Sequence, residues 1–531
     1  MVGAFCHILL QSLWVPIGLT FGSDFSPASW EPVRRTVEQL ARSLFNDDSL
    51  RDKHRQYLDQ LQWDPSLFSK KRKHFVPAKR DAKNPGVLDA DGKLTPTPHF
   101  MFVDDDCYAE ILLLIRVEQA VAASIEAIFT VLGDSDLLNR QDPISWDKLF
   151  EMIISYCNKI LGMLIDTRAM DVGPPPEFIA RTVSKLQAFH SARKAFTVKE
   201  MTELVGLLGH IASTSRWLRH LLSHLYTSIT SALHINKAHL VSSSNKFRKA
   251  IRAARQLDTI STTAPPSNAT KFAQSYVSRT IHRSNKQHFL NKTAIEELRL
   301  ISVALHDPTV SKRCPIAHLV DRVEDCIAHG DSSLDAAGGF SEECRFWWYH
   351  EWSEDIRRFT LRYHRHNKDG KLISINVLEY ASVIINYAAV CLYFQENHDP
   401  SNPYPTALLF ADNTTAESWS IKGCKRSHLG RSLGRLLCAL LINNPVGLSL
   451  ARVSTHDNII ADHISRLKTE TDSLTFFSDL AQSHPQLRTC RRFHPNPKLI
   501  SAISDALLLG TTIDPLALNK QLLTNPGRFT T

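Results

Sequence analysis

Strand-like and helical segments alternate between about residue 316 and residue 470, and this alternation constrains the fold more than any other feature of the chain. Two runs rich in aromatic and aliphatic residues, CRFWWYHEW and TALLFAD, have the composition of buried strands. Two longer runs, INVLEYASVIINYAAV and GRSLGRLLCALLI, have the length and apolar spacing of helices. Strands that alternate with helices predict an α/β domain over residues 316–470.

A chain of 531 residues is too long for one hydrophobic core, so several domains are expected. The Gly-Pro-Pro-Pro break at 173–176 predicts a boundary. Apolar residues at spacings of three and four predict helices over 177–235, and the polar C-terminal tail is expected to hold one helix around Leu499–Leu509. The resulting division has five segments, at residues 1–172, 173–235, 236–315, 316–470 and 471–531.

Composition points to an intracellular globular protein. Hydrophobic residues make up 43% of the chain and charged residues 22%, which are ordinary values. The ten cysteines are scattered without CxxC pairs, so they predict neither a disulfide framework nor a zinc site and suit a reducing compartment, the cytoplasm or nucleus. Residues 2–22 carry no Lys, Arg, Asp or Glu, but Pro16 and Gly18 interrupt the run and no basic segment precedes it. We therefore predict buried strands with a turn there, rather than a membrane segment.

An acidic triplet follows an apolar run in the segment HFMFVDDDCYAEI, at residues 99–111. Neighbouring carboxylates repel one another, and their desolvation beside a buried strand is costly. A divalent metal ion would compensate for this cost, and an exposed acidic turn is the alternative. The triplet alone leaves both interpretations open.

Basic residues are concentrated between residues 236 and 292. This stretch holds eleven Lys and Arg against one acid, Asp258, a local net charge of +10 that exceeds the +8 of the whole chain. Such asymmetry predicts a polyanionic partner, and a solvated connector is the alternative. The candidate nucleic-acid contacts are Lys246, Arg248, Lys249, Arg252 and Arg255.

Four carboxylates of the predicted α/β region lie where an apolar element ends or turns. Asp331 follows a short strand and precedes a predicted turn at Gly338-Gly339, and Glu379 lies on a largely apolar helix. Asp412 ends the run TALLFAD, and Asp462 lies near the start of a helix. An acid on an apolar helix face is costly unless it is paired or bound to metal.

This order of elements resembles the ribonuclease H domain of retroelement polymerases. The segments Ala411-Asp412-Asn413-Thr414-Thr415-Ala416 and Asn458-Ile459-Ile460-Ala461-Asp462-His463-Ile464-Ser465-Arg466 carry the resemblance, together with Asp331 and Glu379. In that family, a mixed five-stranded sheet brings four carboxylates together on two magnesium ions. The resemblance implies that Asp331, Glu379, Asp412 and Asp462 bind two Mg²⁺ or Mn²⁺ ions, which assist hydrolysis by in-line displacement. Arg452 stands where many relatives carry a histidine, and His456 lies closer to Asn458.

The first part of the chain resembles a reverse transcriptase. Phe102-Val103-Asp104-Asp105 is similar to the Tyr-x-Asp-Asp turn of the polymerase palm, which implies that Asp104 binds metal and that Asp105 supports the site. Phe21-Gly22-Ser23-Asp24-Phe25-Ser26-Pro27 is similar to a segment that contacts nucleotide and template, which implies nucleic-acid contacts for Phe21, Gly22 and Pro27. Ile160 to Asp166 looks like the primer-gripping hairpin, and the helices of 177–235 take the place of the thumb. On this resemblance, the acidic triplet is a metal turn.

The palm of this family also uses an aspartate from an earlier strand, whereas the first acidic residue here is Asp24. The resemblance therefore implies an N-terminally truncated and incomplete polymerase. Gly338-Gly339 followed by Phe346-Trp347-Trp348 looks most like the DIRS-like retrotransposons, which encode a tyrosine recombinase.

The expected fold is a multidomain combination of α+β and α/β parts: a partial palm, a helical thumb, a basic connection and a ribonuclease H-like mixed sheet. The expected function is hydrolysis of RNA in RNA–DNA hybrids, with RNA template and DNA as further partners, no membrane and no small-molecule substrate. One alternative is a catalytically decayed or host-retained retrotransposon protein that only binds nucleic acid. Another is a transposase or integrase, although we find no His/Cys zinc module.

Overall fold

The computed structural model divides the protein into two compact units, one of residues 1–161 and 166–168 and one of residues 162–165 and 169–531. The structure describes residues 4–6, 15–17, 26–63, 99–102, 105–108, 114–133, 144, 146–151, 153–155, 157–160, 162–191, 195–255, 268–319, 323–366, 373–467, 475, 477–479, 481–482, 485–510, 513–522 and 524–530. Over these residues the protein is a mixed α+β fold that contains a seven-stranded mixed sheet.

Short strands and helices form the first unit. Its elements in chain order are β1 (Ala4–Cys6), β2 (Val15–Ile17), α1 (Ser26–Leu44), α2 (Ser49–Lys53), α3 (Arg55–Leu58), β3 (Gln62–Trp63), β4 (His99–Phe102), β5 (Asp105–Tyr108), α4 (Leu114–Leu132), α5 (Trp146–Glu151), β6 (Ile153–Ile154) and β7 (Cys157–Ile160). The pairs β1–β2 and β4–β5 are antiparallel. Helices α1 and α4 pack through Val33, Val37 and Ala127. The pairing of β1 with β2 agrees with the strands predicted for residues 2–22. The predicted burial of these strands is not tested, because their side chains are outside the described part of the structure.

Helices dominate the second unit up to residue 319. After β8 (Met163–Asp166), which spans the division between the units, its elements are β9 (Asp171–Gly173), α6 (Pro176–Ser191), β10 (Ala195–Phe196), α7 (Val198–Thr214), α8 (Ser223–Ser243), α9 (Asn245–Arg255), α10 (Asn268–His282), β11 (His288–Phe289), α11 (Lys292–His306) and β12 (Cys314–Pro315). Helix α6 begins within the Gly-Pro-Pro-Pro segment, because proline is tolerated in the first turn of a helix. The helices predicted for 177–235 are confirmed.

The seven-stranded sheet and its helices form the rest of the second unit. The elements are β13 (Cys326–Ser332), β14 (Ala336–Ser341), β15 (Phe346–Glu351), α12 (Glu354–His366), α13 (Ile375–Glu396), β16 (Thr406–Ala411), α14 (Thr414–Lys422), α15 (His428–Leu441), β17 (Gly447–Arg452), α16 (Ile459–Ser465), β18 (Arg491–Pro495), α17 (Pro497–Leu508), α18 (Pro515–Leu522) and β19 (Gly527–Thr530). The strand order is β17-β16-β13-β14-β15-β18-β19. Strand β16 runs parallel to β13 and β17, whereas β14 is antiparallel to β13 and β15. The predicted alternation of strands and helices is confirmed.

Helix α13 is the central helix of this sheet's core. Its residues Val377 to Leu392 are all buried, and they pack against β13, β14 and β16. By length and composition α13 is the one described helix that is apolar enough to cross a membrane, and 89% of its most apolar window is buried inside the protein. Burial between the sheet and the helices α14 and α15 explains why its sequence is apolar on all sides.

Helix α15 contributes to the hydrophobic core of the helical region as well as to that of the sheet. Cys438 and Ile442, at the end of α15, belong to the cluster that contains Leu208, Leu218 and Ile301 of the helical region. The guanidinium of Arg216 also donates to the main-chain oxygens of Leu448 and His318, at 2.9 and 2.6 Å. The segments 173–235, 236–315 and 316–470 are therefore parts of one compact unit.

The C-terminal segment is part of the sheet rather than a tail. Strand β18 pairs in parallel with β15, and β19 pairs with β18, so they add two strands to the five expected for the domain. The predicted helix at Leu499–Leu509 is present as α17, and its Leu499, Ile503 and Leu507 are buried in the sheet's core. The sequence did not indicate these contacts, because residues 471–531 are polar overall. The two strands are also short and lie at one edge of the sheet.

Leu507, in the last turn of α17, and Leu509, directly after the helix, test this assignment. Leu507 is 1% exposed and Leu509 is 70% exposed. We expect Leu507→Ala to lower the free energy of unfolding by about 2–5 kcal/mol, because it leaves a cavity in the core. The matched control Leu509→Ala should change it by less than about 0.5 kcal/mol. Urea unfolding of the full chain measures both, and equal effects would contradict the packing of α17 into the core.

Candidate metal centre

Asp331 lies near the carboxyl end of β13, a central strand of the sheet, and is 4% exposed. The Ser465 hydroxyl donates a hydrogen bond to Asp331 Oδ2 at 2.5 Å. Burial raises the pKa of Asp331 to about 6; the Ser465 hydrogen bond opposes this rise, and the Asp412 and Asp462 carboxylates add to it. Asp331 is thus a buried acid surrounded by other acids.

Asp412 directly follows β16, the parallel neighbour of β13. Because parallel strands end at the same edge of a sheet, the register of His329 with Phe410 brings Asp412 to the edge that carries Asp331. The next residue, Asn413, caps α14 by accepting hydrogen bonds from the amides of Thr415 and Ala416. Thr455 Oγ1 donates to Asp412 Oδ2 at 3.1 Å. The motif after Asp412 therefore holds this carboxylate between a strand end and a helix start.

Glu379 lies on α13 and is 3% exposed. Burial raises its pKa well above the usual range, and the Asp331 and Asp412 carboxylates raise it further. The main-chain amide of Ser332 donates to the Glu379 carboxylate, but its Oε2 atom is buried and accepts no hydrogen bond. A buried carboxylate oxygen without a partner is costly, and a bound cation would remove this cost.

Asp331, Glu379 and Asp412 converge on one place. Each offers one carboxylate oxygen, and these three atoms lie within 4.8 Å of one another. Oxygen ligands of this kind are those that Mg²⁺ and Mn²⁺ prefer in proteins. The group could therefore hold a metal ion, and the unpartnered Glu379 Oε2 fits that assignment.

The fourth predicted ligand, Asp462, lies on α16 and is bound to Arg466. Arg466 Nε donates to Asp462 Oδ2 at 2.8 Å, and Nη2 donates to Oδ1 at 2.6 Å. Asp462 is close enough to raise the pKa of Asp331, although the group of three converging oxygens does not include it. Three of the four predicted carboxylates thus meet directly, and the fourth is held beside them by an arginine.

Gly338 and Gly339 lie within β14, so the turn predicted for them is wrong. Gly338 pairs with Asp331, and a Cβ atom at Gly338 would overlap the side chain of Ile464 on α16. A Cβ atom at Gly339 would lie 2.5 Å from His329 O and from Trp348 Nε1. The glycines are needed here because α16 and Trp348 approach the strand closely. This close approach positions the helix that carries Asp462.

Sequence reasoning assigned no role to three residues around Asp462. Asn458 Nδ2 donates to the main-chain oxygen of Gly330 at 3.2 Å and fixes the start of α16 on β13. Ser465 contacts Asp331, and Arg466 contacts Asp462. Their spacing of three and four residues from Asp462 on a helix could have indicated a shared face.

Arg452 is exposed at the end of β17, opposite Ala411, and His456 is also exposed.

The basic helix α9 presents four exposed side chains, Lys246, Arg248, Lys249 and Arg252, and contains no acid. Its Phe247 is fully buried, and Lys246 Nζ lies 5.4 Å from the centre of the Tyr276 ring of α10. Arg255 ends the helix, and its side chain is outside the description. The predicted basic segment thus includes a helix with a cationic exposed face.

The predicted polymerase residues lie mostly outside the described chain. This is true of Asp104, Phe21 and Gly22. Asp105 is the first residue of β5 and pairs with Phe102 of β4, and Pro27 lies in α1, but neither side chain is described. The metal turn and the nucleotide contacts therefore remain predictions.

The sequence matches no protein-family model, and it matches no curated protein. Among solved structures, the chain is similar to that of the foamy viral protease-reverse transcriptase in complex with an RNA/DNA hybrid, with 12% sequence identity and a TM-score of 0.18. The match covers 70% of this chain. It covers 59% of the viral chain, which is less than two thirds of the viral chain's length. A TM-score this low does not define a common fold.

Proposed function

We propose that this protein hydrolyses the RNA strand of RNA–DNA hybrids at the centre formed by Asp331, Glu379 and Asp412, with Asp462 as a further ligand. The convergence of three carboxylate oxygens within 4.8 Å carries the proposal. The order strand, helix, strand end and helix start for these four acids supports it, because the same order occurs in the ribonuclease H domains of retroelement polymerases. Two Mg²⁺ or Mn²⁺ ions are the proposed cofactors.

The residues of the centre would hold the cations and orient the phosphate group that is cleaved. Bound divalent ions would polarise a phosphoryl oxygen and lower the pKa of the attacking water. Asp331 and Asp412 lie at one edge of the sheet, and Glu379 reaches the same place from α13. The buried Glu379 carboxylate has a fixed position, because α13 is packed on both sides along its length. Such fixed ligands need little rearrangement when charge develops in the transition state.

The proposed substrate is recognised by shape and backbone. RNA-containing helices offer 2′-hydroxyl groups and phosphates in a wide minor groove and little sequence information. The cationic face of α9 suits contact with such a backbone, because phosphate contacts supply most sequence-independent affinity. We also propose RNA template and DNA as partners, a retroelement reverse transcriptase as the context of the first unit, and the cytoplasm or nucleus as the location. The eight cysteines whose side chains the structure describes are free, which suits a reducing compartment.

Replacing the four exposed basic residues of α9 with glutamine should weaken hybrid binding and its dependence on salt. The slope of log affinity against log salt should fall by up to about 3, since each phosphate contact contributes roughly 0.7–0.9. Fluorescence anisotropy with a labelled RNA–DNA hybrid at several salt concentrations measures the slope. The substituted residues are Lys246, Arg248, Lys249 and Arg252.

A matched control removes four charges whose side chains are 43–72% exposed and paired with acids, at Lys53, Lys199, Arg299 and Arg358. This control has the same change in net charge, and its salt slope should stay close to that of the wild type. If both quadruple variants lower the slope equally, net charge alone determines binding and α9 has no special role.

A further inference from the structure

Arg466 hydrogen-bonds to both carboxylate oxygens of Asp462, the fourth acid predicted for this centre, which does not join the three converging oxygens. It is a bidentate ion pair, with Nε and Nη2 each donating to a different oxygen of Asp462. The Asp462 side chain is 19% exposed, whereas that of Arg466 is 66% exposed. The carboxylate therefore lies at the edge of the centre, and the guanidinium reaches it from solvent.

The positive charge of Arg466 acts on three of the four carboxylates. Its contact with Asp462 raises the pKa of Arg466, and the Asp331 and Asp412 carboxylates raise it further. A guanidinium and a divalent cation are attracted by the same carboxylates and repel each other. Occupation of Asp462 by Arg466 thus opposes the use of the same oxygens for metal binding.

The main chain on both sides of Arg466 is fixed, so its side chain can turn without movement of α16. Ser333 Oγ donates to the main-chain oxygen of Ser465 at 2.5 Å, and Tyr349 Oη donates to that of Leu467 at 3.0 Å. Ile464 is also packed against Gly338 of β14. Release of the guanidinium would break a bidentate ion pair, but the Arg466 side chain is 66% exposed, so solvent partly screens the pair.

We propose that Asp462 exchanges the Arg466 guanidinium for a divalent cation, and that the released guanidinium then binds a phosphate of the nucleic acid. Arg466 is thus a positioning residue that links the two binding events. This inference rests on the proposed function, because it takes Asp462 as a metal ligand and a nucleic acid as the substrate. Linkage requires the effect to be reciprocal: the cation strengthens nucleic-acid binding, and the nucleic acid strengthens cation binding by the same factor.

The test compares the wild-type full chain with Arg466→Gln, Arg466→Lys and the control Arg358→Gln. Arg358 is a suitable control because it is 56% exposed and paired with Asp355 on a helix of the same unit. Isothermal titration calorimetry with Ca²⁺ and without nucleic acid gives the cation affinity. Anisotropy with a labelled RNA–DNA hybrid, with and without Ca²⁺, gives the linkage.

We expect Arg466→Gln to bind Ca²⁺ about 5-fold more tightly than the wild type, because a competing charge is absent, a factor at the low end of ordinary coupling between sites. The same variant should gain less hybrid affinity from Ca²⁺ than the wild type gains. Arg466→Lys keeps the charge and should restore part of both effects, whereas Arg358→Gln should match the wild type.

Unchanged or weaker Ca²⁺ binding by Arg466→Gln, with undiminished linkage, would overturn the inference. A merely structural ion pair would give that result, with a lower melting temperature as its only effect. A wild-type protein that neither binds Ca²⁺ nor cleaves the hybrid would refute the proposed function, and the inference would fail with it. If the wild type binds and cleaves but Arg466→Gln behaves identically, only the inference fails.

Discussion

Asp412→Asn should lower cleavage of an RNA–DNA hybrid by roughly 1,000-fold, because metal ions in such a centre contribute several kcal/mol to stabilisation of the transition state. The substitution keeps nearly the same volume and removes one negative charge from the converging group. An asparagine oxygen can still accept the hydrogen bond from Thr455 Oγ1, so the local structure should persist. Cleavage by the full chain in Mg²⁺ gives the rate, and circular dichroism checks the fold.

Asp505→Asn serves as the matched control, since Asp505 is an exposed aspartate on α17 of the same unit. It should cleave at the wild-type rate. An Asp412→Asn protein that also cleaves at the wild-type rate would show that Asp412 is a structural turn residue and that the assignment of the centre is wrong.

Cation affinity should rise steeply with pH, because a cation displaces protons from Asp331 and Glu379. The pKa of Asp331 is raised to about 6, so between pH 5 and pH 7.5 the affinity should increase about tenfold from this group alone. The pKa of Glu379 is also raised, which makes the increase larger. Calorimetry with Ca²⁺ in buffers of different ionisation enthalpy counts the protons released. Release of no protons at pH 6 would contradict this account.

The same shift predicts how metal-free stability changes with pH. A carboxyl group whose pKa is raised in the folded state favours folding at low pH, and this contribution is lost as the pH rises through about 6. His220, which is buried, and His350, which is partly buried, act in the opposite direction, since desolvation lowers their pKa to about 4 and both destabilise the fold below pH 6.5. The shift in melting temperature on adding Mg²⁺ isolates the carboxylates, and it should be larger at pH 8 than at pH 5.

Local patterns were sufficient to predict four elements of the sheet and its helices. The runs at 344–352 and 406–412 predicted strands, and those at 375–390 and 430–442 predicted helices. The structure confirms them as Phe346–Glu351, Thr406–Ala411, Ile375–Glu396 and His428–Leu441. Glu379 was conspicuous because an acid on an otherwise apolar helix needs a specific partner. Such signals depend only on residues that are close in sequence.

Features that depend on distant contacts were not predictable in the same way. Gly338 and Gly339 have the composition of a turn, but they lie in a strand because Ile464 and Trp348 leave no room for a Cβ atom. Strand β18 pairs with β15 across more than a hundred residues of sequence, and no local pattern specifies that partner. The Asp462–Arg466 pair was visible as a spacing of four, but its position beside the other three carboxylates required the packing of α16 on β14.

The most direct test of the central claim is cleavage of hybrids by the wild-type full chain. The substrates are an RNA–DNA hybrid labelled on either strand, and a DNA duplex and an RNA duplex of the same sequence. We predict that Mg²⁺ or Mn²⁺ supports cleavage of the RNA strand of the hybrid alone, that EDTA abolishes it and that added Mg²⁺ restores it. A folded protein that binds the hybrid but leaves it intact with either ion would contradict the account and favour a protein that only binds nucleic acid.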